Sequence, residues 1–112
     1  MTDKKVQPTP VEQRTQGYWV LLNRVIDPEL DVGIVDLGLV YEVEITESGE
    51  TTVYMTLTSM GCPAGPELMR GVETAMEEYE GVKGVHVEIV WEPVWGPDLV
   101  NPDIRAMLWG AE

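Results

Sequence analysis

The chain holds one cysteine, Cys62, and one histidine, His86. A single cysteine excludes a disulfide within the chain and a self-contained tetrathiolate metal site. A single histidine argues against a histidine-rich catalytic metal centre. No apolar run approaches the roughly 20 residues that a membrane span needs. The start, Met1-Thr2-Asp3-Lys4-Lys5, leads into a polar stretch with no apolar signal core, so a cytosolic location is expected. Cations are scarce too: 7 Lys and Arg stand against 20 Asp and Glu, a formal charge of −13. That surface repels a phosphate backbone, which excludes nucleic acid as a partner class. It serves solubility and is open to basic partners.

What remains is ordinary for one folded unit: 112 residues, 44% hydrophobic and 24% charged. Residues 1–10, with two prolines and little apolar material, read as a disordered lead-in, and residues 11–112 as a single domain. Tyr18, Leu21, Leu22 and Val25 share one helical face. Pro28 forces Asp27 to be extended, so this helix should end near Ile26. Asp27-Pro28-Glu29-Leu30-Asp31 reads as an ordered loop. From Leu39 the period becomes two: Leu39, Tyr41, Val43 and Ile45 form one strand. Val53, Met55 and Leu57 form the next, across a turn at Glu47-Ser48-Gly49-Glu50. Leu68, Val72, Ala75, Met76 and Tyr79 mark a helix that Gly81 stops. Val85 to Trp91 is a third strand, parallel to the second if the two are neighbours. Pro102–Leu108 is a short helical tail. The pattern predicts a compact two-layer α/β sandwich, helix–hairpin–helix–strand, with a mixed sheet.

Cys62 lies in Ser59-Met60-Gly61-Cys62-Pro63-Ala64-Gly65-Pro66, between the second strand and the helix. Gly61 permits close approach of a ligand. Pro63 and Pro66 suit the first turn of a helix, which needs no donor there. A cysteine just before a helix N-terminus meets free N–H groups and the helix dipole, which favour the thiolate. A thiolate is a soft-metal ligand and a nucleophile; the other reading is a buried, inert cysteine. The hydroxyls of Thr58 and Ser59 can donate to a thiolate or to cluster sulfur, or serve the strand edge or a helix cap. Asp27, Glu29 and Asp31 can ligate a hard metal or accept a proton, or form a solvated loop in which Asp27 caps a turn. His86 reads as a surface residue. Trp91 is expected to close the core; Trp95 and Trp109 suit either core or partner contact.

Four motifs then resemble one family. Asp27-Pro28-Glu29, Val35-Asp36-Leu37-Gly38-Leu39-Val40, Met55-Thr56-Leu57-Thr58-Ser59-Met60-Gly61-Cys62-Pro63 and Pro93-Val94-Trp95 stand in the order of the domain-of-unknown-function 59 family. This is the SufT/PaaD-type iron–sulfur cluster assembly domain, also found in the cytosolic iron–sulfur targeting machinery of eukaryotes. The resemblance spans roughly residues 14–110. It implies an iron–sulfur cluster assembly domain-like fold and a role in maturing iron–sulfur proteins. The family's reactive cysteine maps onto Cys62, its acidic motif onto Asp27 and Glu29, and its threonine-rich strand end onto Thr58, followed by Ser59. These groups are expected to meet around one pocket. PaaD proteins carry extra cysteines in a C-terminal extension that this chain lacks, so a phenylacetate-oxygenase role is not expected.

A cluster takes about four protein ligands, mostly thiolates, and one chain supplies one. The expected cofactor is therefore a transient iron–sulfur cluster shared between two chains of a homodimer, each giving Cys62 as metal ligand. Small thiols, client thiolates or an acidic side chain complete the set. Iron–sulfur assembly proteins and apo-protein clients are the expected partners. The alternatives are a cluster-free adaptor that recruits clients through Cys62 and the tryptophan tail, and a Cys-nucleophile enzyme. The last needs His86 or a carboxylate as base and has no CxxC motif for redox exchange.

Overall fold

A computed structural model describes residues 5–58 and 63–110. Ser59 and Cys62, both singled out above, lie outside the described residues. The elements in chain order are α1 (Tyr18–Leu22), β1 (Ile26–Asp27), β2 (Val32–Gly33), β3 (Val40–Ile45), β4 (Glu50–Met55), α2 (Gly65–Glu77), β5 (Gly84–Ile89) and α3 (Pro102–Trp109). The predicted mixed sheet is present, in the order β3-β4-β5. β3 and β4 pair antiparallel with Val43 opposite Val53, and β4 and β5 pair parallel with Val53 opposite Val87. Period-two alternation delivers Val53, Met55 and Val87 to the face that α1 and α2 cover. There they meet Leu22, Leu68, Val72 and Met76, all buried. Each such side chain contributes about 1.5–3 kcal/mol by leaving water.

The opposite face holds a smaller cluster, in which Val6 joins Tyr41 and Tyr54. Residues 5–10 run beside β3, where the N–H of Thr9 donates to the carbonyl of Tyr41 at 2.9 Å.

α1 is shorter than its periodicity predicts, ending at Leu22 rather than near Ile26. The cause is Asn23. Its Oδ1 accepts from the N–H of Asp36 at 2.9 Å and its Nδ2 donates to the Asp36 carboxylate at 3.0 Å. Val25 then gives its carbonyl to the N–H of Ile34, and the chain passes into the two-residue β1–β2 pairing instead of another helical turn.

The segment from Asp36 to Gly38 is a clamp for the C-terminal tail. The Asp36 carboxylate accepts from Asn101 Nδ2 at 3.3 Å. Asn101 also caps α3, its Oδ1 accepting from the N–H of Asp103 at 3.0 Å. The carbonyl of Leu37 accepts from Trp95 Nε1 at 2.7 Å. Gly38 has φ +77°, and a Cβ there would sit 2.2 Å from the carbonyl oxygen of Leu99, so both backbone and space require glycine. Further along, Tyr41 Oη donates to the carbonyl of Pro93 at 2.7 Å. Two of the four motifs, Val35–Val40 and Pro93–Trp95, thus serve to hold each other.

Candidate functional site

One end of the sheet brings together described residues of the two remaining motifs. β4 and β5 are parallel and both finish there, at Met55 and Ile89, while antiparallel β3 begins there. The ladder runs slightly further, since Thr56 N–H donates to Leu39 O and Val90 N–H to Met55 O. In open sheets with helical crossovers, ligands bind beyond the carboxyl ends of parallel strands. Thr58 leaves β4 at this end, half-buried, and the chain re-enters the described structure at Pro63 and Ala64. Leu57 packs close to Gly65, the first residue of α2. The strand end and the helix start therefore meet, and the N-terminus of α2 belongs to this end of the molecule.

That helix start carries no side-chain cap from a described residue. Pro66 has no N–H, and the first intrahelical donor is Leu68, bonded to Ala64 O at 2.9 Å. The uncapped N–H groups and the dipole of this 13-residue helix favour an anion at its N-terminus.

The acidic loop reaches the same end by another route. The chain of α1 and its following turn runs antiparallel to α2. Tyr18 stacks edge-on against Tyr79 at 5.4 Å, and seven residues later Val25 lies against Gly71. Ile26 lines a groove with Glu67 and Leu68 of the first turn of α2, so Asp27 lies toward that helix N-terminus. Asp27 is 2% exposed. Its Oδ1 accepts from the N–H groups of Glu29 at 2.8 Å and Leu30 at 3.2 Å, and its carbonyl from the N–H of Asp31 at 2.7 Å. Asp31 completes the turn with φ +59°. Asp27 thus caps a turn, and Glu29 is left with an exposed side chain. No hydrogen bond among the described residues joins the acidic loop to Thr58.

Among the described residues no three His, Cys, Asp or Glu side chains are grouped to hold a metal ion. His86 does not approach this end. It pairs with Thr52, three positions back from the Met55–Ile89 pair, about 10 Å along the strand. Its exposed ring bonds to Glu88 at 2.9 Å.

Sequence reasoning missed Thr56, whose hydroxyl is buried with no hydrogen-bond partner among the described residues. It also misplaced Trp91, which is 36% exposed rather than core-closing: β5 ends at Ile89, so alternation no longer aims the residue at the core. Trp95 is partly buried and packs against the main cluster, and Trp109 is 49% exposed.

A model of the family described as "iron-sulfur cluster assembly protein" matches residues 19–89. The chain is 49% identical over 77 residues to the Fe-S protein maturation auxiliary factor SufT of Staphylococcus aureus, covering 69% of this chain and 88% of that protein. It is 51% identical over 80 residues to the Fe-S protein maturation auxiliary factor YitW of Bacillus subtilis, covering 71% of this chain and 78% of that one. Among solved structures, a domain of unknown function DUF59 from Bacillus anthracis superposes with a TM-score of 0.76 at 33% identity, over 85% of this chain and 90% of that one.

Proposed function

Because this chain belongs to the iron–sulfur cluster assembly protein family, we propose that it is an assembly factor that carries clusters to apo-proteins, or targets them there, through Cys62. The observation that supports this best is the shared end of the sheet. The β4 terminus, the N-terminus of α2, which has no side-chain cap from a described residue, and the start of the acidic loop lie toward that end, and Cys62 lies in the sequence between Thr58 and Pro63. A thiolate beside a helix N-terminus is stabilised as the anion, which is the form that binds iron.

The cluster is cargo. Cys62 of each of two chains is its ligand, and Thr58 and Ser59 donate hydrogen bonds to its sulfur atoms. Glu29 presents a carboxylate from the turn that Asp27 holds, and Asp27 keeps one carboxylate oxygen uncommitted to the described residues. So few protein ligands hold a cluster loosely, as transfer requires. Iron–sulfur assembly proteins and apo-protein clients are the partners on this reading. No helix among the described residues is long and apolar enough to cross a membrane.

The test is transfer. Protein reconstituted with iron and sulfide without oxygen is mixed with an apo-ferredoxin, and cluster arrival is followed by circular dichroism. Transfer faster than from free iron and sulfide is expected; equal rates would overturn carriage. A native mass spectrum of the loaded protein should show two chains per cluster.

A second reading, a cluster-free adaptor, is favoured by the exposed apolar side chains of Val94, Met107 and Trp109, which are 80%, 79% and 49% exposed. Trp109→Ala separates the two, since it removes exposed surface without touching the sheet end. Clients lost on that change but held by cluster-free wild type would favour the adaptor.

A further inference from the structure

A groove runs between α2 and the segment of α1 and its following turn, apart from the strand ends. Its volume is about 600 Å³, within the range of ligand pockets. Arg24 stands on one wall and Arg70 on the other. Both side chains are exposed, and neither guanidinium makes a hydrogen bond or ion pair with any described residue. The contrast lies within the same chain: Arg14 is bonded to the carbonyls of Thr9 and Val35, and Arg105 to that of Pro97. In a chain with only 7 Lys and Arg against 20 acidic residues, two arginines that face one groove from opposite walls and bond to no described residue are two cations free to meet a carboxylate. Between them the accessible lining is apolar: Leu21, Val25 and Ile26, with Ile26 46% exposed. Glu67, one turn before Arg70, and Glu78, just past the end of α2, also line the groove.

We propose that this groove docks an extended peptide segment of a partner protein, with one carboxylate flanked by aliphatic side chains. The carboxylate sits between Arg24 and Arg70, which suit it through paired N–H donors. The aliphatic side chains cover Leu21, Val25 and Ile26. Glu67 and Glu78, with the net charge of −13, turn away polyanions and so select a segment with an isolated acid. The groove extends to the first turn of α2, so a docked segment lies next to the end where the cargo is handed over. That the occupant is a client rests on the assembly reading; the groove's peptide chemistry does not.

The experiment is a titration of the full, isotope-labelled chain followed by amide NMR. The probe is an acetylated, amidated pentapeptide with one aspartate between isoleucine and leucine, glycine at each end. Saturable shifts at Ile26, Gly71 and Thr74 are expected. Arg24→Glu with Arg70→Glu should weaken binding at least about tenfold, and a lysine in place of the aspartate, or serines in place of the aliphatic residues, should abolish it. No saturable shift, equal binding of the lysine peptide, or equal binding by the double variant overturns the proposal. Sodium acetate producing the same shifts at the same concentrations also overturns it, leaving a small-anion site. Should the double variant fail to fold, the altered peptides on wild type still decide. Cluster uptake, measured in parallel, should be the same for the double variant and wild type. Peptide binding by a protein that takes up no cluster would sink the assembly reading and leave the groove standing.

Discussion

The indole Nε1 of Trp95 donates to the carbonyl of Leu37 across 2.7 Å, tying the tail to the loop before β3 over 58 residues of sequence. Trp95→Phe keeps an aromatic ring, smaller than the indole, and removes the donor. The loss should be about 1 kcal/mol, since Leu37 O keeps no equal partner. Urea unfolding should show a lower midpoint with an unchanged slope. A tryptophan used only for partner contact would leave the midpoint where it is.

How much of this was legible in the sequence differs by element. β4 is plain, because Val53 and Met55 alternate across the sheet after a turn, but β3 is not: a register shift between Val40 and Glu42 puts Val40 in the main core and Tyr41 on the opposite face, against the simple alternation of Leu39, Tyr41 and Val43. The parallel pairing of β5 followed from the helix between it and β4. α1 was overextended because periodicity counts Val25 as helical and cannot see Asn23 turning both ends of its amide to Asp36. The clamp was hidden for the same reason: Gly38 under Leu99 and Trp95 on Leu37 are contacts between distant segments. Val6, one apolar residue in a polar stretch, gave no pattern from which its seat against Tyr41 could be read. At the site, the structure shows Asp27 capping the turn, one of the two roles its sequence context offers. Thr56 looked like any strand threonine, because burial without a partner is a property of the folded chain.

Asp27 separates two roles by substitution. Its Oδ1 takes two backbone N–H groups while 2% exposed. Asn supplies the same acceptor and Ala supplies none. Asp27→Asn should stay within about 0.5 kcal/mol of wild type, and Asp27→Ala should lose about 1–3 kcal/mol by orphaning those donors, both measured by urea unfolding. Cluster loss from Asp27→Asn to a chelator then reports the charge alone, on an intact fold, and faster loss is expected.

The response to alkali follows from two buried phenols. Burial raises the pKa of Tyr41, with the Asp98 carboxylate adding to it, and burial raises that of Tyr18, with Tyr79 adding. A folded-state pKa above the unfolded value of about 10 stabilises the fold fully below that value. The contribution is lost as pH rises through the folded-state pKa. Stability should therefore fall above about pH 10. Tyr41→Phe lacks the bond to Pro93 and should be less stable at neutral pH, but also lacks this share of the alkaline loss. Its deficit against wild type should shrink above pH 10. A deficit that stays constant with pH would refute this.

The central claim is that Cys62 binds the cargo. Wild type and Cys62→Ser, both confirmed as folded, are reconstituted with iron and sulfide without oxygen, and bound iron is read from the sulfur-to-iron charge-transfer absorbance after desalting. The account predicts cluster on wild type and a nearly complete loss on Cys62→Ser. Equal uptake by the two proteins would contradict it.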